Sequence, residues 1–171
     1  MNPSGLENPL NPSNTIRAVL CYIEREEDEK FLLLHKAKGK FGEGFWNAPG
    51  GKIEPKESPK SAAQREVFEE TGLTVFELEG AGKLEFYFGP SKKKPDWIAE
   101  VFKTSKFVGR AKARGEEGTL RWFPKDNLPF ERMWEDDRYW LPLLVKGIRF
   151  SGKFEFTADS KTLVSHKITK L

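Results

Sequence analysis

Residues 51–73 constrain the fold of this chain more than any other stretch. They run Gly51, five residues, Glu57, seven residues, then Arg65-Glu66-Val67-Phe68-Glu69-Glu70-Thr71-Gly72-Leu73. Ser58 is a good N-cap, and Pro59 fits the first helical turn, where its missing N–H costs nothing. Gly72 supplies a left-handed stop. A helix is therefore predicted between them. At about 100° per residue, Glu69 lies about 60° to one side of Glu66 and Glu70 about 40° to the other. Three carboxylates thus share one side of the cylinder. Like charges at such spacings destabilise a bare helix, so a positive group is expected among them. An acidic helix face usually meets only water. Here Gly50-Gly51 lies one loop upstream, where bare backbone lets a ligand or metal approach. Hard oxygen ligands suit Mg²⁺ or Mn²⁺, and Mg²⁺ commonly joins protein carboxylates to substrate phosphates. Glu57 and Arg65 read best as an ion pair tying the preceding loop to the helix.

The remainder of the chain is consistent with one domain. Its 171 residues are enough for a proper core. Residues 1–14, with Pro3, Pro9 and Pro12 among Asn and Ser, are expected to form a flexible lead, and 15–171 the folded domain. A net charge of +3 favours anionic ligands only weakly and does not demand nucleic acid. The single cysteine, Cys21, sits in an apolar run and is expected to be a buried structural thiol. One cysteine excludes an internal disulfide framework, and no run is long enough to span a membrane. A cytoplasmic monomer is the expectation. Beta-rich runs at 15–24 and 30–36 flank a charged tip at 25–29 and predict a hairpin. Further strands are expected at 50–53, 73–78, 83–89, 97–108 and 120–123. A second helix is predicted to begin at Asp136 or Asp137 and stop at Gly147, with Pro142 an awkward fit inside it. A hairpin over 149–157 and 162–168 closes the chain. Strands alternating with two helices point to an α/β fold.

Residues 51–73 match the signature of the Nudix hydrolases at every fixed position. The resemblance implies an α/β/α sandwich around a mixed β-sheet, a divalent metal, and hydrolysis of a nucleoside diphosphate linked to another group. A second resemblance covers most of the chain. Phe45-Trp46-Asn47-Ala48-Pro49-Gly50-Gly51-Lys52, then Leu128-Pro129-Phe130, then Met133-Trp134-Glu135-Asp136-Asp137-Arg138-Tyr139-Trp140, resemble the MutT-type oxidised-purine nucleoside triphosphate hydrolases of vertebrates. Ala48-Pro49 and Glu135 depart from that subfamily's pattern. The resemblance implies that the Gly50 carbonyl, Glu66, Glu69 and Glu70 hold metal. Glu117 matches the family's distant acidic residue, with Glu116 its close competitor. Lys52 has two readings, a phosphate contact or plain surface.

A purine needs a flat apolar wall and polar groups along its edge. Trp134 can supply the wall, with Phe41, Phe86 and Phe88 as candidates for the rest. Asn47 offers a donor and an acceptor on one amide. Adjacent desolvated carboxylates at Asp136 and Asp137 should not both ionise, so one can hold a proton. Such a pair can read an oxidised purine, whose N7 carries a hydrogen where guanine has an acceptor. Taken alone, the two aspartates read at least as well as helix caps, and Trp134 as core. Together with Asn47 they favour a base pocket. The expected reaction is Mg²⁺-dependent conversion of an oxidised purine nucleoside triphosphate, 8-oxo-dGTP foremost, to its monophosphate and pyrophosphate. The alternatives are a Nudix hydrolase acting on dinucleoside polyphosphates or RNA 5′ ends, and a nucleotide- or RNA-binding module without catalysis. The intact three-glutamate face argues against the last.

Overall fold

The computed structural model describes residues 8–171. In chain order the strands and helices are β1 (Ile16–Arg25), β2 (Lys30–Lys36), β3 (Trp46–Asn47), β4 (Gly50–Lys52), α1 (Pro59–Thr71), β5 (Thr74–Phe76) and β6 (Glu79–Phe88). There follow β7 (Trp97–Thr104), β8 (Lys106–Val108), β9 (Arg114–Gly115), β10 (Gly118–Pro124), α2 (Asp137–Val145), β11 (Phe150–Phe156) and β12 (Leu163–Lys170). The main sheet has the order β12-β11-β6-β7-β1-β2-β10-β9, with β3 on β2 and β4 on β1. Two pairs, β1 with β7 and β11 with β6, are parallel, and the others are antiparallel. The sheet is mixed, as predicted. No described helix is long and apolar enough to cross a membrane.

Alternation along β1 divides the interior into two layers. Val19, Cys21 and Ile23 pack with Ala62, Ala63 and Val67 of α1 on one side of the sheet. Tyr22 on the other side joins Trp140, Leu141 and Leu144 of α2 and Phe150 and Phe154 of β11. Cys21 is fully buried, and burial pushes its thiol pKa up to about 12. The sandwich follows from this alternation.

Both helices end where the residues direct. Ser58 accepts the Ser61 N–H at 3.1 Å, and Gly72 closes α1 in the left-handed region. Pro142 inside α2 costs about 3 kcal/mol. Burying Trp140, Leu141 and Leu144 returns about 1.5–3 kcal/mol each, so packing outweighs the break.

Two expectations need correction. The strand predicted over 97–108 is two strands. The Thr104 hydroxyl donates to the Phe76 carbonyl and accepts the Lys106 N–H, bending the chain so that β8 leaves to pair with β5. The strand predicted over 83–89 begins earlier, at Glu79. Gly80 and Gly82 look like loop residues, yet they flank a register shift against β7. The flexible lead lies partly outside the described residues, at 1–7. Its remainder makes contacts: the Pro9 carbonyl accepts the Trp97 indole N–H at 2.6 Å, and Asn11 Oδ1 accepts from Lys92 Nζ at 3.0 Å.

Candidate active site

Two glycines bring α1 against the strand backbone. A Cβ on Gly50 would collide with the Val19 carbonyl of β1, and one on Gly51 with the Glu66 carboxyl. Glu70 is buried there, and its Oε1 accepts the Gly50 N–H at 3.0 Å. Its Oε2 is buried with no hydrogen-bond partner, 3.8 Å from Lys36 Nζ. Burial raises the Glu70 pKa to about 8, opposed by Lys36 and the Gly50 N–H. Burial also raises that of Glu66, opposed by Arg65 Nη1 at 2.8 Å. Glu69 is largely exposed, with Arg65 Nη1 at 3.4 Å. Arg65 is thus the positive group expected among the glutamates. It also grips Glu57 through two hydrogen bonds of 2.8 and 2.9 Å, the ion pair read from the sequence.

Glu117 reaches the same place from the residue before β10. Its carboxylate lies 3.2 Å from Lys40 Nζ and 3.7 Å from Lys36 Nζ, so Lys36 stands between Glu117 and Glu70. Glu117 lines the central cavity, whereas Glu116 is exposed. Among the described residues no three acidic, histidine or cysteine side chains are drawn around one point tightly enough to enclose an ion. The donors nonetheless suit a hard divalent cation: all are oxygens, and buried Glu70 Oε2 lacks the partner that buried polar atoms normally have.

From Gly50, Gly51, Lys36 and Glu117 a cavity of about 280 Å³ extends to Asp136 and Asp137. Its floor is one face of the sheet. The register places Ala18 beside Ala99, and Trp97 beside Phe86. Small residues in mid-floor leave space between aromatic walls. Phe88 and Phe156 extend those walls, and Trp134 stands over them with Phe156, Phe41 and Phe45 at centroid distances of 6.1, 5.4 and 5.3 Å. Asn47 lines the cavity and uses its Oδ1 to accept the Ala48 N–H at 2.9 Å, leaving its NH₂ available.

Neither aspartate behaves as a simple cap. Asp136 stands at the N-cap position without a capping hydrogen bond from its side chain. Its Oδ2 accepts the Trp140 Nε1–H at 2.8 Å. Asp137 is buried and its Oδ2 has no partner. The buried Tyr22 hydroxyl is likewise unpartnered. Burial raises the pKa of both aspartates, and the Asp136 charge raises that of Asp137 further. The pair therefore retains a proton that the unfolded chain releases near pH 4.

A carboxyl whose folded pKa is raised contributes stability that is complete below its unfolded pKa. That stability is lost as pH rises toward the folded value. Between pH 5 and 8 the native protein should therefore lose stability by roughly 1.4 kcal/mol per pH unit for each retained proton. Asp137→Asn removes one such group. Its melting temperature relative to the parent should climb across that range, measured without metal so that Glu70 contributes equally to both. Parallel curves would show that Asp137 ionises normally.

Ten of the predicted residues line this cavity: Asn47, Lys52, Phe41, Phe86, Phe88, Trp134, Asp136, Asp137, Gly50 and Glu117. Glu66 and Glu70 stand at its glycine end, and Glu69 turns toward solvent. Lys36, Lys40 and Trp97 are additions that the sequence reading did not assign. Lys36 precedes a glycine-punctuated loop and Lys40 lies within it, a signal legible in the sequence. Trp97 becomes visible only through its strand register opposite Phe86.

Comparison with known proteins agrees with this arrangement. The NUDIX domain model matches residues 14–144. An oxidized purine nucleoside triphosphate hydrolase of Danio rerio is 36% identical over 140 residues, spanning 82% of this chain and 87% of that protein. The protein of the same description in Mus musculus is 35% identical over 145 residues, spanning 85% and 90%. Among solved structures, a MutT protein from Bacillus halodurans superposes with a TM-score of 0.79 at 29% identity, covering 90% of this chain and 97% of that one.

Proposed function

The chain belongs to the NUDIX domain family and is a Nudix hydrolase; from that premise we propose that it converts an oxidised purine nucleoside triphosphate, 8-oxo-dGTP foremost, to the monophosphate and pyrophosphate with Mg²⁺. The observation that carries this reading is the buried, unpartnered Asp137 Oδ2 in an aromatic cavity that also reaches the glutamate end. Relatives named as oxidized purine nucleoside triphosphate hydrolases support it.

Glu66, Glu69 and Glu70, with the Gly50 carbonyl and Glu117, are the residues that would hold Mg²⁺ or Mn²⁺. Bound there, the ion would supply charge neutralisation on the phosphates and an activated water. Trp134, Phe86 and Phe88 enclose the base and exclude water. Asp137, holding a proton, donates to an acceptor on the purine edge, and Asp136 accepts from the N7 hydrogen of an oxidised purine. Asn47 adds an amide donor. Lys36, near Glu70 and Glu117, and Lys52, beside Gly51, would meet the triphosphate. The reading is of a cytoplasmic monomer acting on a small nucleotide, with neither a membrane nor a nucleic acid as partner.

Product analysis with Mg²⁺ tests it. 8-oxo-dGTP, dGTP, a dinucleoside polyphosphate and a 5′-capped RNA are incubated separately with the enzyme. Pyrophosphate and a monophosphate should come from 8-oxo-dGTP. Release of inorganic phosphate from it, or action on the capped RNA alone, would contradict the proposal.

A further inference from the structure

We infer that Trp97 is a specificity-determining wall of the cavity, stacking on the flat face of a base and so favouring purines over pyrimidines. The inference rests on the reading that the cavity takes a base. It assigns to Trp97 a selection by ring size, separate from the edge-reading at Asp136 and Asp137.

Trp97 opens β7 directly opposite Phe86, on the sheet face that forms the cavity floor. It packs against the edge of the interior layer and is only partly buried, so part of its surface stays exposed. Its indole N–H donates to the Pro9 carbonyl at 2.6 Å, which fixes the ring plane. The neighbouring residue is held as firmly. Asp96 accepts from Lys92 Nζ at 3.0 Å and from the Phe88 N–H at 2.8 Å, and Lys92 also donates to Asn11. The segment containing Pro9 and Asn11 thereby clamps the strand end that carries Trp97.

Phe41 lies across the indole at a centroid distance of 5.6 Å and an interplanar angle of 15°. It also meets Trp134 at 5.4 Å, so Phe41 joins two tryptophans that line the cavity. Phe41 is 42% exposed and sits in a loop whose Gly39, Gly42 and Gly44 all have positive φ. Lys52 Nζ is 5.9 Å from the Trp97 ring centroid, which places a cation beside the same wall. A pinned, half-open indole offers a base what stacking requires: a flat polarisable face already desolvated on one side. Stacking accepts any base but grows with overlap, so the larger purine gains more.

The test uses the full chain. Trp97→Ala should raise the KM for 8-oxo-dGTP by about tenfold or more, with kcat within about twofold. Trp97→Phe, which keeps a flat ring but gives up the bond to Pro9 and part of the overlap, should recover much of that loss. The preference for 8-oxo-dGTP over dCTP should shrink in Trp97→Ala, while the preference over dGTP should not. If Trp97→Ala does not fold, Trp97→Leu keeps apolar bulk without a flat face and reads the same quantities. An unchanged KM, or a fall in kcat alone, would overturn the role of Trp97 and leave the proposed activity standing. A wild-type protein that neither hydrolyses 8-oxo-dGTP nor binds 8-oxo-dGMP by calorimetry would overturn that activity, and this inference with it.

Discussion

Glu70→Gln is expected to lower turnover with Mg²⁺ by about 10³-fold, roughly 4 kcal/mol of transition-state stabilisation, while leaving the fold intact. The amide keeps the size of the glutamate, and its oxygen can still accept the Gly50 N–H. Burial already disfavours the charged form of Glu70, whose pKa lies at about 8. A neutral isostere should therefore hold or increase stability without metal. What it removes is an anionic oxygen at Oε2, the atom with no hydrogen-bond partner among the described residues, only Lys36 Nζ at 3.8 Å. The rise in melting temperature that a ligand of the native state produces should accordingly shrink when Mg²⁺ is added to the variant. Near wild-type turnover together with an undiminished Mg²⁺ effect would show that Glu70 is merely a buried acid. Glu69→Gln provides a comparison, because Glu69 faces solvent beside Arg65. Full activity in that variant alone would remove Glu69 from the metal site without touching Glu70.

Asp137→Ala is the second large effect expected. Leaving a buried donor or acceptor on the bound base without its partner costs about 1–3 kcal/mol, so the KM for 8-oxo-dGTP should rise roughly tenfold to hundredfold. Stability should change little or improve, since Asp137 Oδ2 has no partner to lose. Asp136→Ala is a less clean probe: it also orphans the Trp140 indole N–H, so its melting temperature should fall as well. A pure helix cap would behave in the opposite way, with about 1 kcal/mol lost from folding and binding untouched. Measuring melting temperature and KM on both alanine variants separates the two roles.

The parts of this protein legible in its sequence are those governed by local rules. Ser58, Pro59 and Gly72 bound α1 because capping depends on near neighbours, and the continuous apolar run Ala18–Ile23 of β1 announces a strand buried on both faces. Glu66, Glu69 and Glu70 could be placed on one helical side from spacing alone. Their unequal exposure could not. It depends on Gly50 and Gly51 admitting α1 to the strand backbone, a contact about twenty residues away in sequence. Glu117 and Glu116 could not be separated from sequence, because only the pairing of β10 with β2 sets which one turns toward Lys36 and Lys40. In the sequence Trp97 is simply the first residue of a strand. Its role follows from two distant partners, Phe86 across the sheet and Pro9 near the chain start. The split of residues 97–108 into β7 and β8 has a similar origin, since the Phe76 carbonyl that engages Thr104 belongs to another strand.

The most direct measurement is the ratio of kcat/KM for 8-oxo-dGTP to that for dGTP, determined side by side with Mg²⁺. The two nucleotides carry the same triphosphate and present purine faces of the same ring size. Their ratio therefore isolates what Asp136 and Asp137 read along the base edge. A site that pairs with the N7 hydrogen of the oxidised base should favour it by at least about tenfold, equivalent to about 1.4 kcal/mol, and the ratio should fall toward one in Asp136→Ala, which removes the acceptor for that hydrogen. A ratio of one or less in the wild-type enzyme would contradict the account.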